Sequence, residues 1–285
     1  MKIPKGLQPL VDEGMVDEVI RQLKSGKEAS VFLVACGEHI RCAKVYKDAE
    51  HRGFHKLAEY QEGRRMRGSR DARAMGKGGR RGRKVQEEEW KNAEIDALFR
   101  LVNAGVRVPQ PHAVYAGVLL MELVQDEHGN PAPRFNEIDM TPEQAREWHA
   151  FMIKQIVLML CAGLIHGDLS EYNVLLDANG PVIIDLPQAV NASGNNNAFR
   201  MFERDVNNMR STFGKFAPEL LKTDYAREIW KLYEASELKP DAVLTGRFEE
   251  TAETADVDAV LDQIDEARRE AEARQRGRDE MLDAP

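Results

Sequence analysis

The sequence predicts an α+β chain of two lobes, an N-terminal antiparallel sheet carrying one helix and then a mostly helical lobe. Three observations predict it. Val16–Leu23 alternates imperfectly between polar and apolar residues, and Ser30–Ala35 and His39–Tyr46 read as two further strands, with turn signals at 24–29 and 36–38 between them. Helical, 3.6-period segments dominate after Leu123. Within that second part, two short apolar runs, Val174–Leu176 and Val182–Ile184, flank Asp177-Ala178-Asn179-Gly180, a hairpin signal.

Composition sets the frame. The 285 residues, 42% hydrophobic and 31% charged, suffice for one bilobed or two smaller domains. Three cysteines, Cys36, Cys42 and Cys161, are too few and too scattered for a disulfide framework or a zinc site, and with no signal-peptide pattern they predict a reducing, cytoplasmic setting. The longest apolar run, Ile156–Ile165, is too short to span a membrane. The net charge of −8 hides an asymmetry: Arg64–Lys84 carries ten cations against Asp71 alone, a net +9, which leaves −17 for the remainder.

In order, residues 1–14 read as a short leader and 15–121 as the first lobe. On its third strand Cys42 and Lys44 share a face, which suits a nucleobase above and a phosphate beyond. The turn Ser25-Gly26-Lys27 could offer N–H groups and a hydroxyl to phosphate oxygens. It equally reads as an ordinary hairpin, and it is not a Walker loop, since no Ser or Thr follows the Gly-Lys. Residues 50–66 have helical composition. His51 and His55, spaced i and i+4, lack a third ligand and read as surface histidines. The Gly- and Arg-rich segment 64–84 cannot bury a core and reads as a flexible basic loop, either solvated or contacting RNA, a ribosome or an acidic protein. Ser69 within it is a candidate phosphorylation site. Val85–Ala104 is predicted helical, with Trp90, Glu94, Ala97, Leu98 and Leu101 on one face. Glu94 on that face calls for a partner; Lys44 is the candidate, with Lys91 or Arg100 as the alternative. His112–Tyr115 and Val118–Leu123 read as strands, and the lobe boundary falls at Met121-Glu122-Leu123, where backbone groups could pair with adenine.

The second lobe is predicted over 122–237. Thr141-Pro142-Glu143-Gln144 is a helix start with N-cap, proline at N1 and a capping box, and the helix runs to about Ala162. It leads into Leu164-Ile165-His166-Gly167-Asp168-Leu169-Ser170-Glu171-Tyr172-Asn173, answered by Val182-Ile183-Ile184-Asp185. Asp168 and Asn173 should sit on a loop before one strand and Asp185 at the end of the next. These hard oxygen donors suit Mg²⁺ (Mn²⁺ is the alternative ion) completed by water and phosphate oxygens. Asp168 can then orient a hydroxyl and accept its proton. His166 reads as a loop scaffold. Helices follow over Ala198–Phe213 and about Asp224–Glu237, and Arg204 and Asp205 read either as braces for the loop or as plain surface. Residues 238–285 form an acidic tail with a helical pattern at Val257, Val260, Leu261, Ile264 and Ala267.

Taken together, Ser25-Gly26-Lys27-Glu28-Ala29, Lys44-Val45-Tyr46, Trp90 with Glu94, Leu120-Met121-Glu122, Pro131-Ala132-Pro133-Arg134, His166–Asn173 and Ile183-Ile184-Asp185 resemble the RIO family of atypical serine/threonine kinases, over roughly residues 15–235. Pro-Ala-Pro-Arg is similar to its Rio1-like branch, and the Gly/Arg segment and acidic tail look like bacterial members. The resemblance implies a reduced two-lobed protein-kinase-like fold without an activation segment, ATP as co-substrate, a protein substrate, and autophosphorylation. It implies catalytic roles for Asp168 and Lys44, ATP contacts from Ser25, Lys27, Lys44, Glu94, Met121, Glu122, Leu123 and Pro131, and Mg²⁺ ligands Asn173 and Asp185. Lys24 stands where the family usually has serine, and Gly167 where ordinary protein kinases carry the arginine that reads an activation-loop phosphate, so no such switch is expected. Two other readings remain. A small-molecule kinase of the aminoglycoside or choline type shares the His-Gly-Asp-Leu core, and an ATP-hydrolysing ribosome-associated assembly factor would use the basic segment.

Overall fold

A computed structural model of the chain describes residues 3–26, 29–47 and 80–248, with the backbone alone over 80–91. Lys27, Ser69, His51, His55, residues 64–79 of the basic segment and the helical pattern at 257–267 therefore lie outside the described residues.

The chain opens with a short helix, α1 (Gln8–Asp12), which the leader reading did not foresee. Leu7 and Leu10, both fully buried, press onto one face of the sheet against Val19, Phe32, Val34, Ala43, Val118 and Leu120. That sheet has five antiparallel strands in the order β1-β2-β3-β5-β4, with β1 Glu18–Ser25, β2 Ala29–Cys36, β3 His39–Tyr46, β4 Pro111–Tyr115 and β5 Val118–Glu122. Its ladders set Lys44 opposite Val31 on one side and Leu119 on the other. Helix α2 (Arg80–Asn103) precedes β4. Its described part begins at Arg80 rather than Val85, so residues 80–84 of the predicted basic loop are helical, and the three arginines and the lysine among them are compatible with helix.

Helix α3 (Pro142–Cys161) begins with the predicted capping box, Thr141 Oγ1 accepting from Gln144 N–H at 3.2 Å and Gln144 Oε1 from Thr141 N–H at 3.0 Å. Next come β6 (Leu164–Ile165), the hairpin β7 (Val174–Asp177) and β8 (Gly180–Ile183), β9 (Val190–Asn191), α4 (Ala198–Gly214) and α5 (Tyr225–Glu234). Residues 238–247 do not leave the body as a tail. Glu228 accepts from the N–H groups of Thr245 and Gly246, both at 2.7 Å, and Leu238 and Leu244 pack on the core. The described residues up to Arg247 form one compact unit.

The largest core is continuous from the sheet side to the helical side. Ala97, Leu98 and Leu101 of α2 and Leu119 of β5 join Met152, Ile156 and Leu160 of α3 and Met209 and Phe213 of α4. The last turns of α2 are thus held by the helical lobe as well as by the sheet. Among the described residues no helix is long and apolar enough to cross a membrane.

One buried polar group stands out in this core. His149 on α3 is 2% exposed, its ring lies 5.6 Å from those of Phe213 and Tyr225, and its Nε2 has no hydrogen-bond partner among the described residues. Burial lowers its pKa from 6.5 to about 4. The folded protein then binds this proton more weakly than the unfolded chain, so the stability contributed is complete above pH 6.5 and is lost as pH falls toward 4. The full swing is on the order of 3 kcal/mol. Denaturant titrations at neutral pH and near the lower limit should show this loss in the native chain and a much smaller one in His149→Phe.

Candidate active site

A cleft of about 880 Å³ separates the sheet from the helical lobe. Lys44 lies at its floor. By period two on β3, Cys42 and Lys44 look into the cleft, and Ala43 between them faces the opposite core. Cys42 and Leu123, backed by Leu33, form an apolar roof with Leu23, Val31 and Met121 around it. Burial pushes the Cys42 thiol up to about 12, so this cysteine stays protonated and behaves as a small apolar group.

Lys44 is 8% exposed and Glu94 4%. Lys44 Nζ donates to Glu94 Oε1 at 2.5 Å and to Asp185 Oδ1 at 3.2 Å. Burial works against the ammonium, but Glu94 and then Asp185 outweigh it, so its pKa is raised. The Asp185 carboxyl is held below the usual range: desolvation opposes ionisation, and Lys44 wins by charge and hydrogen bond. Asp185 has φ +68°, a left-handed conformation costing a side-chain-bearing residue about 1–2 kcal/mol, which the Lys44 contact helps to sustain. Glu94 thus pairs with Lys44, and the Arg100 alternative is excluded because that guanidinium bonds Asn191 Oδ1 and the Ala162 carbonyl. Glu94 Oε2 is buried with no hydrogen-bond partner among the described residues, an unsatisfied acceptor of the kind found at functional sites.

The loop before β7 is fixed by its own backbone. Gly167 has φ +80°, which suits glycine. Asp205 on α4, 2% exposed, accepts the N–H of Gly167 at 2.7 Å and of Leu169 at 3.0 Å, and Arg204 donates to the Gly167 carbonyl. Both residues therefore brace the loop. Burial pushes the Asp205 carboxyl up to about 7 against the pull of those N–H groups. His166 is the scaffold expected of it. Its Nδ1 accepts from Asp168 N–H at 3.2 Å, so its Nε2 carries the proton shared with the Ile184 carbonyl at 3.1 Å, and burial lowers its pKa and favours this neutral form.

Asp168 is exposed at the loop. Asn173 Nδ2 donates to the Asp168 carbonyl at 2.9 Å, and the Asn173 carbonyl accepts from Ile184 N–H, also at 2.9 Å. The loop and the strand end that carries Asp185 are therefore stitched together beside one another. Among the described residues no three His, Cys, Asp or Glu gather as a metal cluster. The amide oxygen of Asn173 and the ionised Asp185 are hard donors, and they fit an ion that takes most of its ligands from phosphate and water.

Not every expected contact is there. Met121, Glu122, Leu123 and Pro131 line the cleft, yet Glu122 N–H is already given to the Gln110 carbonyl at 2.8 Å, so that group is not free for a base. Ser25 does not line the cleft. Across the ladder it faces Ser30, 3.4 Å between hydroxyls, and it takes Lys47 Nζ at 3.0 Å, so its hydroxyl is committed at the sheet edge. Its neighbours Lys24 and Gly26 do line the cleft, as does Arg134. Burial first, then Arg134, lowers the Lys24 pKa. The sequence reading put Lys24 in the turn after Leu23, whereas β1 continues to Ser25 past a register shift between Gln22 and Lys24.

A five-stranded antiparallel sheet with one helix, set on a helical lobe and closing over a lysine–glutamate pair, is a protein-kinase-like fold. The family model for the RIO domain matches residues 30–226, and the chain belongs to that family. It is 35% identical over 207 residues to the RIO-type serine/threonine-protein kinase Rio1 of Haloferax volcanii, covering 72% of this chain and 66% of that one. It is 31% identical over 180 residues to the RIO-type serine/threonine-protein kinase Rio1 of Methanocaldococcus jannaschii, covering 61% and 55%. With the serine/threonine-protein kinase rio1 of Schizosaccharomyces pombe identity is 29% over 187 residues, covering 65% and 36%. The chain thus spans less than two thirds of the length of these curated relatives.

Replacing Asp205 by alanine would leave two buried N–H groups without an acceptor, at about 1–3 kcal/mol each. Asp205→Ala should lose at least 2 kcal/mol of that sum in urea titrations, whereas changing the exposed Asp168 to alanine should alter the midpoint little.

Proposed function

We propose that this chain is an ATP- and Mg²⁺-dependent serine/threonine protein kinase that also phosphorylates itself. The observation that carries this reading is the Lys44 ammonium held between Glu94 and Asp185 at the floor of a cleft with an apolar roof. A buried cation held in this way is pre-aimed at the α- and β-phosphates, while the roof at Cys42 and Leu123 takes the base. Asn173 and Asp185 would hold Mg²⁺, which when bound neutralises phosphate charge and orients the terminal phosphoryl group. Asp168, exposed on a loop whose backbone is pinned to Asp205, orients the attacking hydroxyl and accepts its proton. The new bond runs from the substrate oxygen to the γ-phosphorus, the bond from that phosphorus to the β,γ-bridging oxygen breaks, and ADP leaves with the electron pair. Glu94 keeps the phosphate-binding ammonium of Lys44 in register. The names of the relatives support a protein hydroxyl as acceptor over a small alcohol.

Asp185→Asn should abolish Mg²⁺-dependent transfer of labelled phosphate from ATP, both to a generic protein substrate and to the chain itself, while circular dichroism and melting stay near native. Normal transfer by that variant would remove the metal assignment. Transfer to small alcohols but not to protein would favour the small-molecule reading.

The basic segment 64–84 is proposed as a contact for ribosomal RNA on its net charge of +9. Such binding should weaken steeply with salt, and neutralising the arginines from Arg64 to Arg73 should flatten that dependence. Salt-independent co-sedimentation with ribosomal particles would exclude a contact of this kind.

A further inference from the structure

Lys44 touches Glu94 and Asp185 together only while helix α2 and strand β8 keep a fixed spacing, since each carries one of the two carboxylates or leads directly to it. One residue ties both. Arg107 follows the end of α2 by a short link, and three of its groups reach the helical lobe. Its N–H donates to Oε1 of Gln155, a 4% exposed side chain on α3, at 2.8 Å. Its carbonyl accepts at 2.8 Å from the N–H of Ile183, the last residue of β8, two before Asp185. Its guanidinium pairs with the Asp177 carboxylate at the hairpin turn, where the Asp177 side chain is 11% exposed. Val106 and Val108 on either side are buried, so the segment cannot swing away as a loop.

A second clamp sits one turn before the end of α2. Arg100 Nη1 donates to Asn191 Oδ1 at 2.9 Å and Nη2 to the Ala162 carbonyl at 2.6 Å. Ala162 caps the C-terminus of α3, where the helix dipole and an open carbonyl favour a cation. Leu98 and Leu101, on either side of Arg100, are buried in the core shared with α3.

We propose that Arg107, seconded by Arg100, is a positioning residue for phosphoryl transfer. It couples the helix bearing Glu94 to the strand that leads to Asp185, and so sets the spacing that lets one ammonium serve both. It touches no reacting atom and acts through Glu94 and Asp185. The inference rests on the kinase reading above.

The test is a double-mutant cycle. Arg107→Met should lower kcat for phosphate transfer by about tenfold to a hundredfold, the scale of a displacement of order 1 Å at a reacting centre, with a smaller change in KM for ATP. Arg107→Lys, which keeps a charge for Asp177, should recover most of the loss. In an Glu94→Gln background, Arg107→Met should add less than about twofold, because the contact it serves is already gone. Losses that multiply in the two backgrounds, or native kcat in Arg107→Met, overturn the proposal. Asp177→Asn reaches the same ion pair from its other partner and should give the same pattern if Arg107→Met does not fold. Amide exchange over 94–103 supplies a readout independent of turnover, and Arg107→Met should speed it. A native chain that transfers no phosphate, with exchange still accelerated in the variant, would sink the kinase reading and leave the coupling standing. Unaltered exchange would sink the coupling itself.

Discussion

The fold is arranged around one buried ammonium that two carboxylates must share. Taking an isolated charge out of water is prohibitive, and removing one partner from a buried pair typically costs about 3–5 kcal/mol. Lys44 therefore needs Glu94, at 2.5 Å, whether or not a nucleotide is bound. Asp185 is a different kind of partner. It is 3.2 Å away, its side chain is 45% exposed, and it sits in a strained conformation at the mouth of the cleft. One contact carries the burden of burial, and the other leaves a carboxylate facing solvent with coordination capacity to spare. An equal sharing would have tied up both oxygens in the interior and left little for a metal–phosphate ligand.

Meeting that requirement constrains elements far apart in sequence. The lysine is on the middle strand of the sheet, the glutamate on a helix whose last turns are buried in the helical lobe, and the aspartate just past a hairpin. The loop that carries Asp168 has the same dependence in another form. Its geometry rests on N–H donors aimed at Asp205, and a carboxylate buried by α4 is worth that placement only because it accepts two of them. Among the described residues Lys44, Glu94, Gln155 and Asp205 are buried polar groups that join segments distant in sequence, and apolar packing surrounds them.

Much of this was legible in the sequence because the relevant signals are local. The third strand is placed by the turn signal Cys36-Gly37-Glu38 before it, the α3 start by a four-residue capping box, and the Asp168, Asn173 and Asp185 constellation by its position around a hairpin. What stayed hidden depends on partners distant in sequence. Asp205 could be read as brace or surface until Gly167 and Leu169 were seen to aim at it. Lys24 lies beyond a bulge that alternation cannot anticipate. Ser25 belongs to a turn whose sequence suits phosphate, but its hydroxyl is claimed by Lys47, a residue on another strand end. Leu7 and Leu10 looked like a leader because five helical residues are too few to announce themselves by periodicity. Arg107 offers no local signal at all, since its meaning lies in Gln155, Asp177 and Ile183.

The loop also bears on how such a site could be governed. Gly167 lies at φ +80° with its N–H given to Asp205 and its carbonyl to Arg204. A side chain at that position would be strained, so an arginine reading a distant phosphate could be installed there only by rebuilding the loop. The bonds that hold His166, Asp168, Leu169 and Asn173 all end on groups of the folded chain itself. A loop whose backbone is already held in this way gains little from an added phosphate. Control of the reaction then falls to what can alter access to the cleft or the spacing of its two carboxylates, which is the distance that Arg107 and Arg100 hold.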